Sequence, residues 1–186
     1  MMPEIALNIL DVAENSVRAG AKVVTITVEI DEAADTLGVT IADDGCGMSE
    51  EQTAHVTDPF FTTRTTRTVG LGVPFFKQAA ELSGGSFSIV SRLGEGTALH
   101  SVFGLRSIDR MPLGDVSGGI HDLVTFHPEM DVCYTYRFNG RAFTMDTRQF
   151  REVLGDTFNL YLTDGLWSLE ADGTLHLTDA GGNRDY

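Results

Sequence analysis

The segment at residues 43–48, which reads DDGCGM, combines carboxylates with two glycines directly after a predicted strand. At the end of that strand, the carboxylate of Asp43 can accept a hydrogen bond from an exocyclic amine, such as the N6 amine of adenine. Gly45 and Gly47 would let the backbone pass close to a base, because they carry no Cβ. The alternative interpretation is a simple turn that ends the strand.

A second group of polar side chains lies on the first predicted helix, residues 3–19. Asn15, Asp11 and Asn8 follow one another at helical spacing, so a carboxylate and two amide oxygens could converge on one point. Oxygen ligands of this kind suit Mg²⁺, which also keeps several waters and phosphate oxygens. A solvated helix face is the alternative interpretation.

A third segment, residues 62–69, reads TTRTTRTV and contains two arginines and five hydroxyls but no acid. Arginines and hydroxyls suit phosphate oxygens. The Gly70-Leu71-Gly72 sequence that follows begins a predicted helix, whose N-terminus favours anions. The segment therefore indicates a phosphate-binding lid, with a flexible surface loop as the alternative.

The composition restricts the classes of function. The 186 residues carry a formal net charge of −14, which disfavours nucleic acid as a partner. No apolar run approaches the roughly 20 residues that span a bilayer, so we expect no membrane segment. Cys46 and Cys133 are far apart in sequence, which favours a reducing, cytoplasmic location without disulfides.

The hydrophobic pattern predicts how these segments are positioned. Strands are expected over residues 23–30, 36–42, 86–91 and 97–103, a short helix from residue 49 and a longer one over residues 70–82. We therefore predict an α+β fold in which residues 1–104 form a two-layer sandwich, with helices on one face of a mainly antiparallel mixed sheet. Residues 105–186 are predicted to be a small α+β appendage of unknown role, with a linker at 107–119, a hairpin at Asn139-Gly140 and a helix capped by Asp146.

Together, these segments resemble motifs of the GHKL superfamily of ATP-binding domains, which includes gyrase B, Hsp90, histidine kinases and MutL. DVAENSVRAGA at 11–21 is similar to the N box and DDGCGM to the G1 box. DPFFTTR at 58–64 resembles the F box of histidine kinases, GLGV at 70–73 the G2 box, and GEGT at 94–97 a turn between the last sheet strands. More narrowly, the chain resembles a bacterial group of small, stand-alone histidine-kinase-like ATP-binding proteins.

The resemblance implies a Bergerat-type ATP-binding fold, with ATP and Mg²⁺ as ligands. It makes Asp43 the adenine-binding aspartate and Asn15 the magnesium ligand, with Asp11 as a possible second one. The residues expected to contact the nucleotide are Asn15, Asp43, Gly45, Gly47, Met48, Phe60, Thr62, Thr63, Arg64, Arg67, Gly70, Leu71, Gly72 and Thr97.

The chain departs from the family pattern at two positions. Asp11 stands where hydrolysing members carry a glutamate general base, and its shorter side chain implies slow hydrolysis. Thr68 stands where the G2 box usually has a further glycine.

Three uses of ATP remain open. The chain could transfer phosphate to a separate protein, hydrolyse ATP slowly as a clamp that dimerises, or sense nucleotide through a lid that controls a protein partner. His121-Asp122 faintly resembles a phosphoacceptor motif, with a histidine at the start of a helix as the alternative.

Overall fold

The computed structural model describes residues 4–58 and 72–155, together with two short strands at 167–169 and 175–177. Within these residues the helices begin and end close to the predicted positions, apart from one that the sequence did not predict. Pro74 lies in the first turn of its helix, where it is tolerated. The helices are α1 (Ile5–Arg18), α2 (Glu50–His55), α3 (Gly72–Leu82), α4 (Val116–Phe126) and α5 (Thr147–Leu154).

Six strands of the described chain form one mixed sheet in the order β3-β4-β2-β1-β5-β6. Neighbouring strands are antiparallel, except that β1 and β5 are parallel. β7 and β8 form a separate two-stranded pair. The strands are β1 (Val23–Asp31), β2 (Thr36–Asp43), β3 (Ser86–Arg92), β4 (Gly96–Gly104), β5 (Asp131–Phe138), β6 (Arg141–Asp146), β7 (Trp167–Leu169) and β8 (Leu175–Leu177).

The core lies between one face of this sheet and the helices. Alternate residues of the central strands are buried, such as Val24 and Ile26 in β1 and Val39 in β2, because successive side chains of a strand point to opposite faces. Ile5 and Ile9 of α1 pack into the same cluster. The predicted α+β class, with a mixed sheet and helices, is therefore confirmed.

The residues after 105 continue this core. α4 replaces the second part of the predicted linker and buries Ile120, while β5 pairs with β1 along its length. The predicted hairpin at Asn139-Gly140 is present, and both residues have positive φ, as its turn requires. The boundary predicted between residues 104 and 105 therefore marks no break in the sheet, because long-range pairing joins the two parts.

Candidate nucleotide site

Asp43 is the last residue of β2, and its carboxylate is fixed from two sides. The Ser16 hydroxyl of α1 donates to Oδ2 at 2.6 Å, and the Gly45 backbone N–H donates to Oδ1 at 2.9 Å. A carboxylate has about four lone-pair sites, so each oxygen retains capacity for another donor. The carboxylate is thus held in one orientation and can still accept a hydrogen bond from a ligand.

Gly47 shapes the loop that follows Asp43. Its φ is +64°, which L-residues with a side chain rarely adopt. A Cβ at this position would also overlap the carbonyl oxygen of Arg92 at the end of β3. The glycine therefore lets the loop pack against the backbone of the β3–β4 hairpin.

Asp44 attaches the same loop to the start of β1. Its Oδ1 accepts from the backbone N–H groups of Lys22 and Val23, at 2.7 and 2.9 Å. The hydrogen bond from Val23, with that from Lys22, holds the pKa of the Asp44 carboxyl below its ordinary value. Asp44 is not among the site residues predicted from the sequence, although an Asp beside a glycine often binds nearby backbone.

Thr97 and Ser91 form a polar wall beside Asp43. Thr97 is the β4 partner of Asp43, and its hydroxyl lies 2.8 Å from that of Ser91. Ser91 Oγ also accepts from the Met48 backbone N–H at 2.8 Å, which places Met48 at the same wall. An open pocket of about 260 Å³ is lined by Asp43, Ser91 and Thr97, among others. Thr97 and Met48 are among the site residues predicted from the sequence, and Ser91 is not.

Asp11 and Asn15 are partly exposed on α1, where α3 begins. A Cβ on Gly72, the first residue of α3, would lie 2.8 Å from Asp11 Cγ, so a side chain here would displace the Asp11 carboxylate. Asn15 Oδ1 accepts from Arg18 at 3.3 Å. The N-terminus of α3 therefore lies against the Asp11 carboxylate, as electrostatics favours.

The predicted convergence of Asn8 with Asp11 and Asn15 is wrong. Asn8 is 1% exposed, and its Nδ2 donates to the Glu4 carbonyl at 3.2 Å. Asn8 therefore belongs to the buried side of α1, whereas Asp11 and Asn15 are partly exposed. The helical period alone could not separate these faces, since Asn8 lies at their border.

Several predicted contacts lie outside the described residues. They are Phe60, Thr62, Thr63, Arg64, Arg67, Gly70 and Leu71.

Two histidines after residue 105 lie near carboxylates. His127 Nε2 is 2.8 Å from Glu14 Oε1, which joins the end of α4 to the residue before Asn15. His121 lies within α4 rather than at its start, and its Nδ1 is 3.3 Å from the Asp122 carboxylate.

The fold and this site describe an α+β sandwich in which polar side chains of the first helix lie next to the ends of the central strands. The family model of histidine kinase-, DNA gyrase B- and HSP90-like ATPases matches residues 4–106. The chain belongs to this family, and it therefore carries a histidine-kinase-like ATPase domain.

Relatives with this domain include bacterial sensor proteins. A putative sensor protein of Shewanella frigidimarina is 29% identical over 57% of this chain. A probable C4-dicarboxylate sensor kinase of Bacillus subtilis is 30% identical over 44%, and the sensor histidine kinase ZraS of Salmonella typhi 33% over 47%. The matches cover 16%, 15% and 19% of these relatives, so the similarity concerns only that part of them.

Among solved structures, the N-terminal domain of a DNA repair protein has a similar fold. The TM-score is 0.56 with 10% sequence identity, and the match covers 84% of this chain and 58% of the other. This likeness concerns the fold alone. It extends past the part matched by the family model. No helix in the described part of the chain has both the length and the apolar character needed to cross a bilayer.

Proposed function

We propose that the chain binds ATP with its adenine on Asp43 and its phosphates toward the start of α3. The observation that carries this proposal is the Asp43 carboxylate, which Ser16 and Gly45 fix at the end of β2, in a residue that lines an open pocket together with Thr97. Adenine presents an N6 amine donor to such an acceptor, whereas guanine presents an acceptor at the equivalent position. ATP should therefore bind in preference to GTP.

Asn15 and Asp11 fit a magnesium ion bound with the phosphates. Both offer oxygen ligands on the exposed side of α1. No cluster of three or more His, Cys, Asp or Glu side chains that could hold a metal ion occurs among the described residues. This ligand set suits Mg²⁺, which uses one or two protein oxygens and completes its shell with phosphates and water. Bound there, the ion would offset the charge of the phosphates.

The adenine assignment is tested by Asp43→Asn. The amide has one acceptor oxygen instead of two, and it would place an N–H₂ group toward the N6 amine. Because hydrogen bonds to charged groups contribute about 1.5–3 kcal/mol, ATP affinity should fall roughly tenfold to a hundredfold. Titration calorimetry would measure it, with the exposed Asp122→Asn of α4 as a matched control. Unchanged ATP affinity in folded Asp43→Asn would refute the assignment.

We further propose a regulatory role in which Mg-ATP is used for phosphoryl transfer to a separate protein or for slow hydrolysis. The sensor kinase relatives support transfer, and the position of Asp11 beside α3 supports hydrolysis. A nucleotide-sensing module that controls a protein partner or a dimer is the second candidate. It is favoured by the His127–Glu14 contact, which joins the Asn15 helix to the residues after 105.

Two free cysteines agree with a cytoplasmic location.

One incubation with γ-labelled ATP, with and without native cell extract, separates these uses. Transfer predicts a labelled protein in the extract, and hydrolysis predicts free labelled phosphate. Sensing predicts neither a labelled protein nor free labelled phosphate. It predicts instead that the affinity for a protein partner differs between the ADP-bound chain and the chain bound to a non-hydrolysable ATP analogue.

Asp11 is tested as the general base in the same assay. Asp11→Asn should lower phosphate release by about a hundredfold, because general-base catalysis typically contributes 10²–10⁴-fold. Asp11→Glu, which restores the longer side chain, should raise release above that of the native chain. Equal release from all three chains, with ATP binding intact, would exclude Asp11 as the base.

A further inference from the structure

Three polar side chains form one row across the sheet at the candidate nucleotide site. Ser91 of β3 lies opposite Thr97 of β4, and Thr97 lies opposite Asp43 of β2. Residues directly opposite each other in neighbouring strands present their side chains on the same face of the sheet. That face carries α1, because Ser16 of α1 donates to the Asp43 carboxylate. The proposed adenine contact is therefore the end of a row of two hydroxyls and one carboxylate.

The hydroxyl of Ser91 is the centre of a small hydrogen-bond network. Its oxygen accepts from the Met48 backbone N–H at 2.8 Å. It lies 3.0 Å from the carbonyl oxygen of Gly96, to which it donates, and 2.8 Å from the hydroxyl oxygen of Thr97. A hydroxyl has one hydrogen to donate and two lone pairs with which it can accept. Three partners are therefore the most that Ser91 can serve.

The number of hydrogens sets the direction of the bond between the two hydroxyls. The Gly96 carbonyl can only accept, so its bond uses the single hydrogen of Ser91. The Thr97 hydroxyl must then donate to Ser91 across the 2.8 Å contact. This arrangement makes three hydrogen bonds, with one donated and two accepted by Ser91. The opposite direction takes the Ser91 hydrogen away from Gly96 and makes one bond fewer, so it is less favourable.

Thr97 consequently offers a ligand acceptors only. With its hydrogen directed to Ser91, its oxygen keeps two lone pairs, and the neighbouring Asp43 carboxylate is also an acceptor. The Cβ atoms of such a directly opposed pair are roughly 4.5–5.5 Å apart. An NH₂ group that makes two hydrogen bonds of about 2.9 Å, with its hydrogens about 120° apart, joins acceptors about 5 Å apart. The pair therefore matches an amine that carries two hydrogens.

We propose that Ser91 is a positioning residue for the selection of adenine. Ser91 takes the hydroxyl hydrogen of Thr97, so that Thr97 and Asp43 together accept both N–H groups of the adenine N6 amine. Ser91 acts through Thr97 and does not itself contact the base. This inference rests on the proposed binding of ATP at Asp43 and states how that site distinguishes bases. Guanine, which carries a carbonyl oxygen at the equivalent position, would meet two acceptors.

The first test compares ATP with N6-methyl-ATP, whose amine has one hydrogen, by titration calorimetry on the full chain. The native chain should bind the methylated nucleotide roughly threefold to tenfold more weakly, as for one lost neutral hydrogen bond. Thr97→Val keeps the shape of the side chain but removes its acceptor. The affinity ratio should then fall toward one, because the remaining N–H bonds to the charged Asp43. An unchanged ratio in Thr97→Val would show exclusion of the methyl group by its size and would overturn the proposal.

The second test concerns Ser91 itself. Ser91→Ala should also lower the ratio of ATP to N6-methyl-ATP affinity, because the Thr97 hydroxyl is then free to turn its hydrogen toward the ligand. A general loss of affinity does not change this ratio. Ser91→Thr keeps the hydroxyl on a residue that suits a strand, and it should retain the native ratio. Ser88→Ala, at an exposed position of the same strand, is the matched control. A native ratio in Ser91→Ala, or the same change in Ser88→Ala, would refute the role of Ser91.

A measurement without nucleotide tests the hydrogen-bond network by itself. Hydrogen exchange at the Met48 backbone amide should be roughly threefold to tenfold faster in Ser91→Ala, because this variant removes the acceptor of that amide. Thr97→Val leaves the acceptor in place and should not change the exchange. Equal exchange in the native chain and in Ser91→Ala would contradict the central position of Ser91.

Failure of this inference is distinct from failure of the proposed ATP site. If only the inference fails, Asp43→Asn still weakens ATP binding, while the ratio of ATP to N6-methyl-ATP affinity is the same in every Ser91 and Thr97 variant. If the ATP site is wrong, Asp43→Asn leaves ATP affinity unchanged, and both proposals are lost.

Discussion

At the scale of single residues, Ser16 decides how the Asp43 carboxylate is presented. The hydroxyl is buried and donates to Oδ2, so the carboxylate cannot rotate freely. Ser16→Ala should lower ATP affinity about threefold to tenfold and reduce the preference for ATP over GTP, because a less fixed acceptor binds less selectively. Titration calorimetry with both nucleotides measures this.

The chain provides a matched control for that substitution. Ser101 is also a buried serine, but its Oγ has no hydrogen-bond partner among the described residues. Ser101→Ala should leave both nucleotide affinities unchanged. Equal losses from the two variants would attribute the effect to general destabilisation rather than to Asp43.

Asp44 makes the stability of the site loop dependent on pH. Backbone hydrogen bonds from Val23 and Lys22 lower its pKa in the folded chain, so the ionised form is preferred there. Its contribution is therefore complete above the unfolded pKa near 4 and is lost as pH falls through the lower folded value. The contribution is small, because Asp44 is solvent-exposed.

The measurement is urea unfolding of Asp44→Asn and of the native chain at pH 7 and at pH 3. The variant should be less stable at pH 7, and the difference should shrink toward pH 3. A difference that is the same at both pH values would show that the charge of Asp44 makes no contribution.

At the scale of elements, α4 is a helix that local sequence signals do not predict. Its first turn contains Ser117-Gly118-Gly119, which have low helix propensity and therefore indicated a linker. Asp115 caps the helix by accepting from Gly118 N–H at 2.8 Å. A Cβ on Gly119 would lie 2.8 Å from Leu10 of α1, so this glycine permits close helix packing that only the tertiary structure reveals.

Elements with strong local patterns were predicted well. The alternation in β1 and β2, the Asn139-Gly140 turn and the Ser49 cap of α2 are all present, because each depends on neighbours in sequence. The parallel pairing of β1 with β5 has no local signal, since its contacts are distant in sequence. Asp43, Asn15 and Gly72 could be proposed because each lies in a local motif. The Ser16–Asp43 and His127–Glu14 contacts could not, because each joins residues that are distant in sequence.

Ile120 tests whether α4 is part of the same cooperative core. It is fully buried, so Ile120→Ala should lower the free energy of unfolding by about 2–5 kcal/mol in a single transition. Phe126→Ala, on the same helix but 74% exposed, should change it by less than about 0.5 kcal/mol. Two separate denaturant transitions, with only one affected by Ile120→Ala, would instead show an independent appendage.

At the scale of the whole molecule, the region that the family model matches is shorter than the region that forms one sheet and one core. The family model ends at residue 106, but the sheet continues to Asp146 and the core includes Met145. Residues 116–146 therefore give α1 a second helical neighbour and β1 a second strand. The helix that carries Asp11 and Asn15 is held between α3 and α4, so the proposed ligand positions depend on both parts of the chain.

The β1–β5 pair also has a consequence for how the chain folds during synthesis. Val23 pairs with Asp131, so this edge of β1 stays open until residues 131–138 have left the ribosome. Closing so long a loop costs conformational entropy, so we expect this pairing to be a late step of folding. A nascent chain therefore presents unpaired strand backbone beside the ATPase motifs, and translation pauses before residue 131 would prolong its exposure to aggregation.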